Sequence, residues 1–247
     1  MKNGQWVPAD EMGYAVLLNL SEAGGFNRSI YRSILPYVKG RTLEVGSGIG
    51  NISSIFLFHN RALYLSEQDE QYYQLLQRKY AGEAGVEGIF RIDLAATDFG
   101  IRYADLLGTF DTVFALNVVE HIDDDGLAVA NCAKLLAPDG HLILLMPAYP
   151  GLYNDWDRQL GHYRRYTSQS LRDLLSKDFD VLRIWHFNLA GIFGWWLFGS
   201  VLKRGLISKG NIRLYERLLP LLRLADRITG RRAGLSVIGA GRKKGGV

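Results

Sequence analysis

The stretch that decides the fold is Leu43-Glu44-Val45-Gly46-Ser47-Gly48-Ile49-Gly50-Asn51. The apolar run over 41–46 predicts a buried strand, and residues 51–58 predict the helix that follows it. Glycines between the two let the backbone approach a ligand closely, and the start of the helix offers unpaired N–H groups. The spacing is G-x-G-x-G, with Asn51 where the dinucleotide fingerprint needs its third glycine. This counts against a nicotinamide dinucleotide as the ligand.

Short apolar strands alternate with helices along the rest of the chain. Strands are predicted at residues 41–46, 62–66, 88–92, 110–116, 141–146, 181–187 and 235–241, and helices at 69–80, 124–136 and 168–175. The turn Pro138-Asp139-Gly140 introduces the fifth strand, and Pro147 ends it. Apolar strands that alternate with helices favour a parallel sheet covered on both faces, so we expect a doubly wound α/β fold.

Composition and charge narrow the class of protein. The chain has 247 residues, 48% of them hydrophobic, and a single cysteine, which excludes a disulfide-stapled fold and predicts a reducing, cytoplasmic setting. No signal peptide or run of about 18 apolar residues is evident. From Lys203 onward the net charge is +10, against −6 for the rest. Such a basic tail can attract anionic lipid, a phosphate-bearing substrate or nucleic acid. Nucleic acid is the least favoured of the three, because the sequence shows no recognisable module that reads bases.

An acidic residue ends the second strand. Glu67 lies about twenty residues beyond the glycine loop, where a carboxylate accepts the hydroxyls of an adenosine ribose. LEVGSGIGN, LSEQD at 65–69, Ile92-Asp93-Leu94 and FDTVFALNVVEHI at 110–122 occur in an order that resembles the class I S-adenosylmethionine-dependent methyltransferases. The resemblance covers roughly residues 27–146. It implies a seven-stranded sheet with an antiparallel last strand.

The same resemblance implies a cofactor site for S-adenosylmethionine. Gly46 and Gly48, after Glu44, would face the methionine part. Glu67 would hold the ribose. Asp93 would meet the adenine amino group beside Leu94, and Asn117 would lie at the methionine end.

The loop after the fifth strand resembles a bacterial subgroup of these enzymes, in which the string G-H-x-R-R-Y-T precedes a helix. His162 is the candidate catalytic residue, because an imidazole that titrates near neutrality can take a proton from an alcohol or phenol. Its alternative role is to orient Asp157 or a backbone carbonyl. Arg164 and Arg165 either grip an anionic acceptor or form salt bridges with the acidic front half. The predicted acceptor-binding residues are Tyr153, Asp157, Arg164, Arg165 and Tyr166.

Glu120 and His121 raise the question of a metal site. The ubiquinone-pathway O-methyltransferases that the chain resembles here carry another carboxylate three positions earlier, where this chain has Asn117. We therefore predict no metal, and a structural pair packed beside the cofactor.

Residues 188–232 are predicted to form a helical insertion before the last strand. The aromatic stretch 187–202 is too short to span a bilayer comfortably, so it forms an interfacial helix, a lid over an apolar acceptor, or ordinary core. Residues 211–229 form an amphipathic helix in which Pro220 predicts a kink. The expected organisation is a single domain with an N-terminal helical cap (1–40), a cofactor core (41–187), the insertion (188–232), and a last strand with a basic tail (233–247).

These patterns together predict an S-adenosylmethionine-dependent methyltransferase. We expect transfer to an oxygen of a small or lipid-linked acceptor, with peripheral contact between 187–232 and the inner membrane face. Two alternatives stay open: an enzyme dependent on NAD or a nucleotide sugar, and a non-catalytic, membrane-associated partner protein.

Overall fold

The computed structural model describes residues 11–201 and 209–245, and its centre is one seven-stranded sheet. The strands are β1 (Thr42–Val45), β2 (Leu63–Ser66), β3 (Val86–Phe90), β4 (Phe110–Leu116), β5 (Leu136–Pro147), β6 (Phe179–Phe187) and β7 (Ser236–Lys243). Their order in space is β3-β2-β1-β4-β5-β7-β6. The first five run parallel, and β7 is antiparallel to both β5 and β6. The predicted fold class is confirmed.

Helices cover both faces of the sheet. They are α1 (Glu11–Ser21), α2 (Gly24–Ile34), α3 (Ser53–Phe58), α4 (Glu70–Lys79), α5 (Phe99–Arg102), α6 (Asp125–Leu135), α7 (Asp155–Gln159), α8 (Ser168–Leu175), α9 (Leu189–Gly194) and α10 (Lys209–Ile228), with a π-helix at Trp195–Val201. Successive residues of β4 supply opposite faces, because strand side chains alternate: Val113 packs with α6 and α8, and Phe114 packs with α2, α3 and α4.

Helix caps follow the sequence signals. The Asp69 carboxylate accepts hydrogen bonds from the backbone N–H groups of Gln71 and Tyr72, and that of Asp124 accepts one from Leu127. Such caps satisfy donors that a helix cannot pair internally. The capped helices α4 and α6 therefore begin where the sequence predicts.

The predicted start of the fifth strand is wrong. The strand begins at Leu136, which pairs with Phe110, and the register shifts before Thr112 meets His141. The turn Pro138-Asp139-Gly140 lies inside this irregular stretch, where Asp139 has a φ of 60°. A turn signal can therefore mark an interruption within a strand as well as its beginning.

Helix α10 is continuous through Pro220 and packs on α2 through polar side chains. Both carboxylate oxygens of Glu216 accept 2.8 Å hydrogen bonds from the backbone N–H groups of Gly25 and Phe26, at the start of α2. Leu219 is buried in the same interface, whereas Leu221 and Ile228 are 66% and 77% exposed. The helix thus presents an apolar face outward. Among the described residues, no helix is both long and apolar enough to cross a membrane.

Candidate active site

The glycine loop after β1 contains three residues in the left-handed region: Gly46, Gly48 and Gly50, with φ of 72°, 55° and 79°. A Cβ on Gly46 would overlap Cγ2 of Val118, so glycine is required there by both conformation and space. The end of α4 fixes the loop. Lys79 Nζ donates to the Ile49 carbonyl at 2.7 Å, and the Tyr80 hydroxyl donates to the Gly50 carbonyl at 2.9 Å.

Glu67 lies directly beyond β2 and faces the glycine loop. Its Oε2 accepts from the Gly48 N–H at 2.8 Å, and its Oε1 accepts from the Gln68 N–H at 2.9 Å. Burial raises the pKa of this carboxyl despite these hydrogen bonds. The residue predicted to hold a ribose is thus in place at the loop.

Glu44 lies below the loop, fully surrounded by protein. Its carboxyl accepts a hydrogen bond from the Ser53 hydroxyl, near the start of α3. Burial raises its pKa to about 8, so the group is protonated at neutral pH. Its contact with Ser53 joins β1 to α3 beneath the predicted cofactor position.

Asp93 follows β3 and lies in a cleft of about 370 Å³ lined by Gln68, Arg91, Asp93, Arg102 and Tyr103. Its Oδ1 accepts from the Ala95 N–H at 2.9 Å. Leu94 is buried beside it. Asn117 follows β4, is exposed, and has a φ of 55°. Apart from Glu44, which lies within β1, the predicted cofactor residues therefore follow β1, β2, β3 and β4, at the carboxyl edge of the sheet where ligands of such folds bind.

The loop after β5 is organised around the buried carboxylate of Asp157. His162 Nδ1 lies 2.8 Å from Oδ1, and Arg165 Nε donates to both oxygens at 2.9 and 3.0 Å. The Asn154 N–H donates to Oδ2 at 3.0 Å. Burial alone would raise the pKa of Asp157, but the bonds from His162 and Arg165 lower it below its ordinary value. Asp157 and Arg165 thus bind each other inside the protein.

The other predicted acceptor residues fasten this loop to its neighbours. Nη1 of Arg164 lies 3.0 Å from Oδ2 of Asp125, at the start of α6, and the Tyr166 hydroxyl donates to the same oxygen at 2.9 Å. The Tyr153 hydroxyl donates to the His162 carbonyl at 2.7 Å. Arg164 is the arginine of the two that keeps partial exposure.

Glu120 is absent from the predicted site residues, yet the structure places it at the centre. It is fully buried, and within the described parts of the chain neither of its carboxyl oxygens has a hydrogen-bond partner. Burial raises its pKa to about 8. Three potential metal-ligand atoms lie within 4.8 Å of one another, one each from Glu120, His121 and His162. The sequence signal was the Glu-His pair itself, but only folding brings His162 to it.

Comparison with known proteins agrees with this geometry. Residues 43–142 match the family model described as "Methyltransferase domain". The ubiquinone biosynthesis O-methyltransferase of Caulobacter sp. (strain K31) is 33% identical over 112 residues, which are 44% of this chain and 41% of that protein. The chain thus spans less than half of that relative's length in the match.

Solved structures show the same fold. A SAM-dependent methyltransferase from Archaeoglobus fulgidus has a TM-score of 0.56 at 15% identity, covering 89% of this chain and 94% of that one. The N-methyltransferase NodS from Bradyrhizobium japonicum WM9, in complex with S-adenosyl-L-homocysteine, has a TM-score of 0.53 at 13% identity, covering 91% and 88%. Residues 43–142 are therefore a methyltransferase domain. Over most of its length, the chain has the fold of these solved methyltransferase structures.

Proposed function

We propose that the chain transfers the methyl group of S-adenosylmethionine to an oxygen of a small or lipid-linked acceptor. The observation that carries this proposal is the contact between Glu67 and the Gly48 N–H, which joins an acidic residue after β2 to a left-handed glycine loop after β1. A cleft lined by Asp93 lies along the same edge. These residues fit an adenosyl ligand, because they offer a ribose acceptor, a close backbone approach and space for a base.

When bound, the cofactor supplies a sulfonium-activated methyl group. Gly46 and Gly48 would face its methionine part, with Glu44 supporting the loop from below. Glu67 would accept the ribose hydroxyls, Asp93 and Leu94 would flank the adenine, and Asn117 would lie at the methionine end. The protein must then align the acceptor oxygen with the methyl group and exclude water.

His162 is the proposed catalytic residue. Because Nδ1 faces the Asp157 carboxylate, a neutral His162 ring would carry its proton on Nδ1 and present the lone pair of Nε2 to the acceptor. Nε2 would take the proton of the acceptor hydroxyl as the oxygen–methyl bond forms. Asp157 and Arg165 act as positioning residues, since both are buried and hold the imidazole through the carboxylate.

Oxygen as the methyl acceptor is supported by the likeness to a ubiquinone biosynthesis O-methyltransferase. A lipid-linked acceptor and a peripheral membrane position are supported by the outward apolar face of α10 and by exposed Phe193 and Trp196. Arg217 and Arg227 lie exposed on α10 as well, which favours an anionic surface.

Calorimetric titration with S-adenosyl-L-homocysteine, with NAD as the comparison ligand, tests the proposal. We expect a micromolar dissociation constant for the former, about −8 kcal/mol, and no heat from the latter. Preference for NAD would favour the dinucleotide alternative. Absence of binding by either ligand, with none carried through purification, would contradict the proposed function.

A further inference from the structure

We propose that Glu120, His121 and His162 bind one divalent transition-metal ion of the Zn²⁺ type, which activates the acceptor hydroxyl. This inference rests on the proposed function for its chemistry and on the three side chains alone for the ion. It replaces the prediction of no metal, because folding adds His162 to the pair Glu120 and His121. Two imidazoles and one carboxylate form a donor set that zinc takes in catalytic sites, where a further position stays open for water or substrate.

The first argument is the state of Glu120. A buried carboxyl normally has hydrogen-bond partners, because leaving one without any costs free energy. Both oxygens of Glu120 lack such partners in the described residues, although the side chain is completely buried. A cation bound between Glu120 and the imidazoles would satisfy this carboxylate.

The second argument is the arrangement of the histidines. Their rings lie 4.7 Å apart and nearly perpendicular, at 82°. The candidate ligand atoms lie within 4.8 Å of one another, and ligands of a tetrahedral zinc ion lie about 3.4 Å apart. Closing on an ion therefore requires that the ligand atoms approach one another by at most about 1.4 Å. His121 is exposed and gives the ion a path from solvent.

The third argument is the support behind His162. Metal-ligating histidines usually donate their second ring nitrogen to a carboxylate, which orients the ring and raises its basicity. Asp157 provides this contact at 2.8 Å from Nδ1, and Arg165 balances its charge. Nε2 is left for the ion.

Ion binding changes the role of His162. One lone pair on Nε2 cannot hold an ion and take a proton at once. In the loaded site, coordination makes the acceptor hydroxyl acidic, and its proton passes to water. The oxygen–methyl bond then forms as the sulfur–methyl bond breaks.

Zn²⁺ titration against a chromophoric chelator tests the inference without requiring an acceptor. We expect one Zn²⁺ per wild-type chain, and affinity at least tenfold weaker in Glu120→Gln and in His121→Ala. His59→Ala removes an exposed histidine directly after α3, outside the three proposed ligands, and should bind like wild type. Co²⁺ should give visible absorption typical of nitrogen and oxygen ligands in wild type, and lose it in His121→Ala.

Wild-type protein that binds no Zn²⁺, or variants that bind it unchanged, would overturn the inference. His121→Ala keeps the test decisive if Glu120→Gln does not fold, because His121 is exposed. S-adenosyl-L-homocysteine titration of the same samples separates the two proposals. If the protein binds zinc but not S-adenosyl-L-homocysteine, the proposed function is contradicted and the metal site is retained. If it binds S-adenosyl-L-homocysteine but not zinc, only the metal site is contradicted.

Discussion

Glu67 accepts a hydrogen bond from the backbone N–H of Gly48 at 2.8 Å, so the residue that follows β2 holds the loop that follows β1. A ribose that binds Glu67 would meet a carboxylate already oriented toward the loop. Glu67 thus supports the loop, and recognition of the ribose is the second role that we propose for it.

Replacing Glu67 by alanine should weaken binding of S-adenosyl-L-homocysteine at least tenfold, because charge-assisted hydrogen bonds are lost. Isothermal titration measures the change. Glu87→Ala, at an exposed position on β3, is the matched control and should bind like wild type. If the two variants bind S-adenosyl-L-homocysteine with equal affinity, the assignment of Glu67 to the cofactor site is contradicted.

Glu44 should make stability depend on pH. Its pKa rises from 4.5 to about 8 on folding, so the folded state holds this proton more tightly than the unfolded state does. The corresponding stability is fully present below pH 4.5 and is lost as the pH rises toward 8, by at most about 1.4 kcal/mol per unit. Glu44→Gln should reduce the slope of that decline in urea unfolding between pH 5 and pH 8, and Glu120, whose pKa burial also raises to about 8, should account for decline that remains. A variant with the wild-type slope would show that another group causes it.

Asp157→Asn should destabilise the protein by about 3–5 kcal/mol, because it leaves the buried guanidinium of Arg165 without a charged partner. Thermal or urea unfolding measures the loss. Asp155→Asn changes an exposed carboxylate two positions earlier that pairs with Arg158, and should cost less than about 1 kcal/mol. Similar losses in both variants would contradict the role assigned to the buried pair.

The outward face of α10 should bind anionic vesicles. Leu221→Asp combined with Ile228→Asp should reduce sedimentation with such vesicles while leaving the unfolding temperature unchanged, since both side chains are exposed. Ile101→Asp, at an 85% exposed position on α5, is the control. Binding should also fade as salt rises. Vesicle binding that survives in the α10 variant would place the contact elsewhere.

The sequence predicted the sheet well because its strands are short buried apolar runs, and β4 has the predicted bounds, Phe110–Leu116. It also predicted which residues follow β1 to β4. It could not predict the environment of Glu120, because segments distant in sequence pack around this carboxyl in the folded structure and determine which hydrogen-bond partners it has. The sequence also could not predict the orientation of α10. A helical wheel separates its charged residues from its apolar ones, but only the contacts with α2 show that Glu216 faces inward.

The partnership between Glu216 and α2 joins segments about 190 positions apart along the chain. The helix before α2, α1, lies over the glycine loop, where the Asn51 side-chain amide donates to the Leu17 carbonyl at 2.9 Å. Helices from opposite ends of the sequence therefore contact one another, and α1 contacts the glycine loop. Glu216→Ala, which keeps α10 and β7 in place, would leave the first turn of α2 uncapped and weaken the helix packing over a loop that the substitution does not touch.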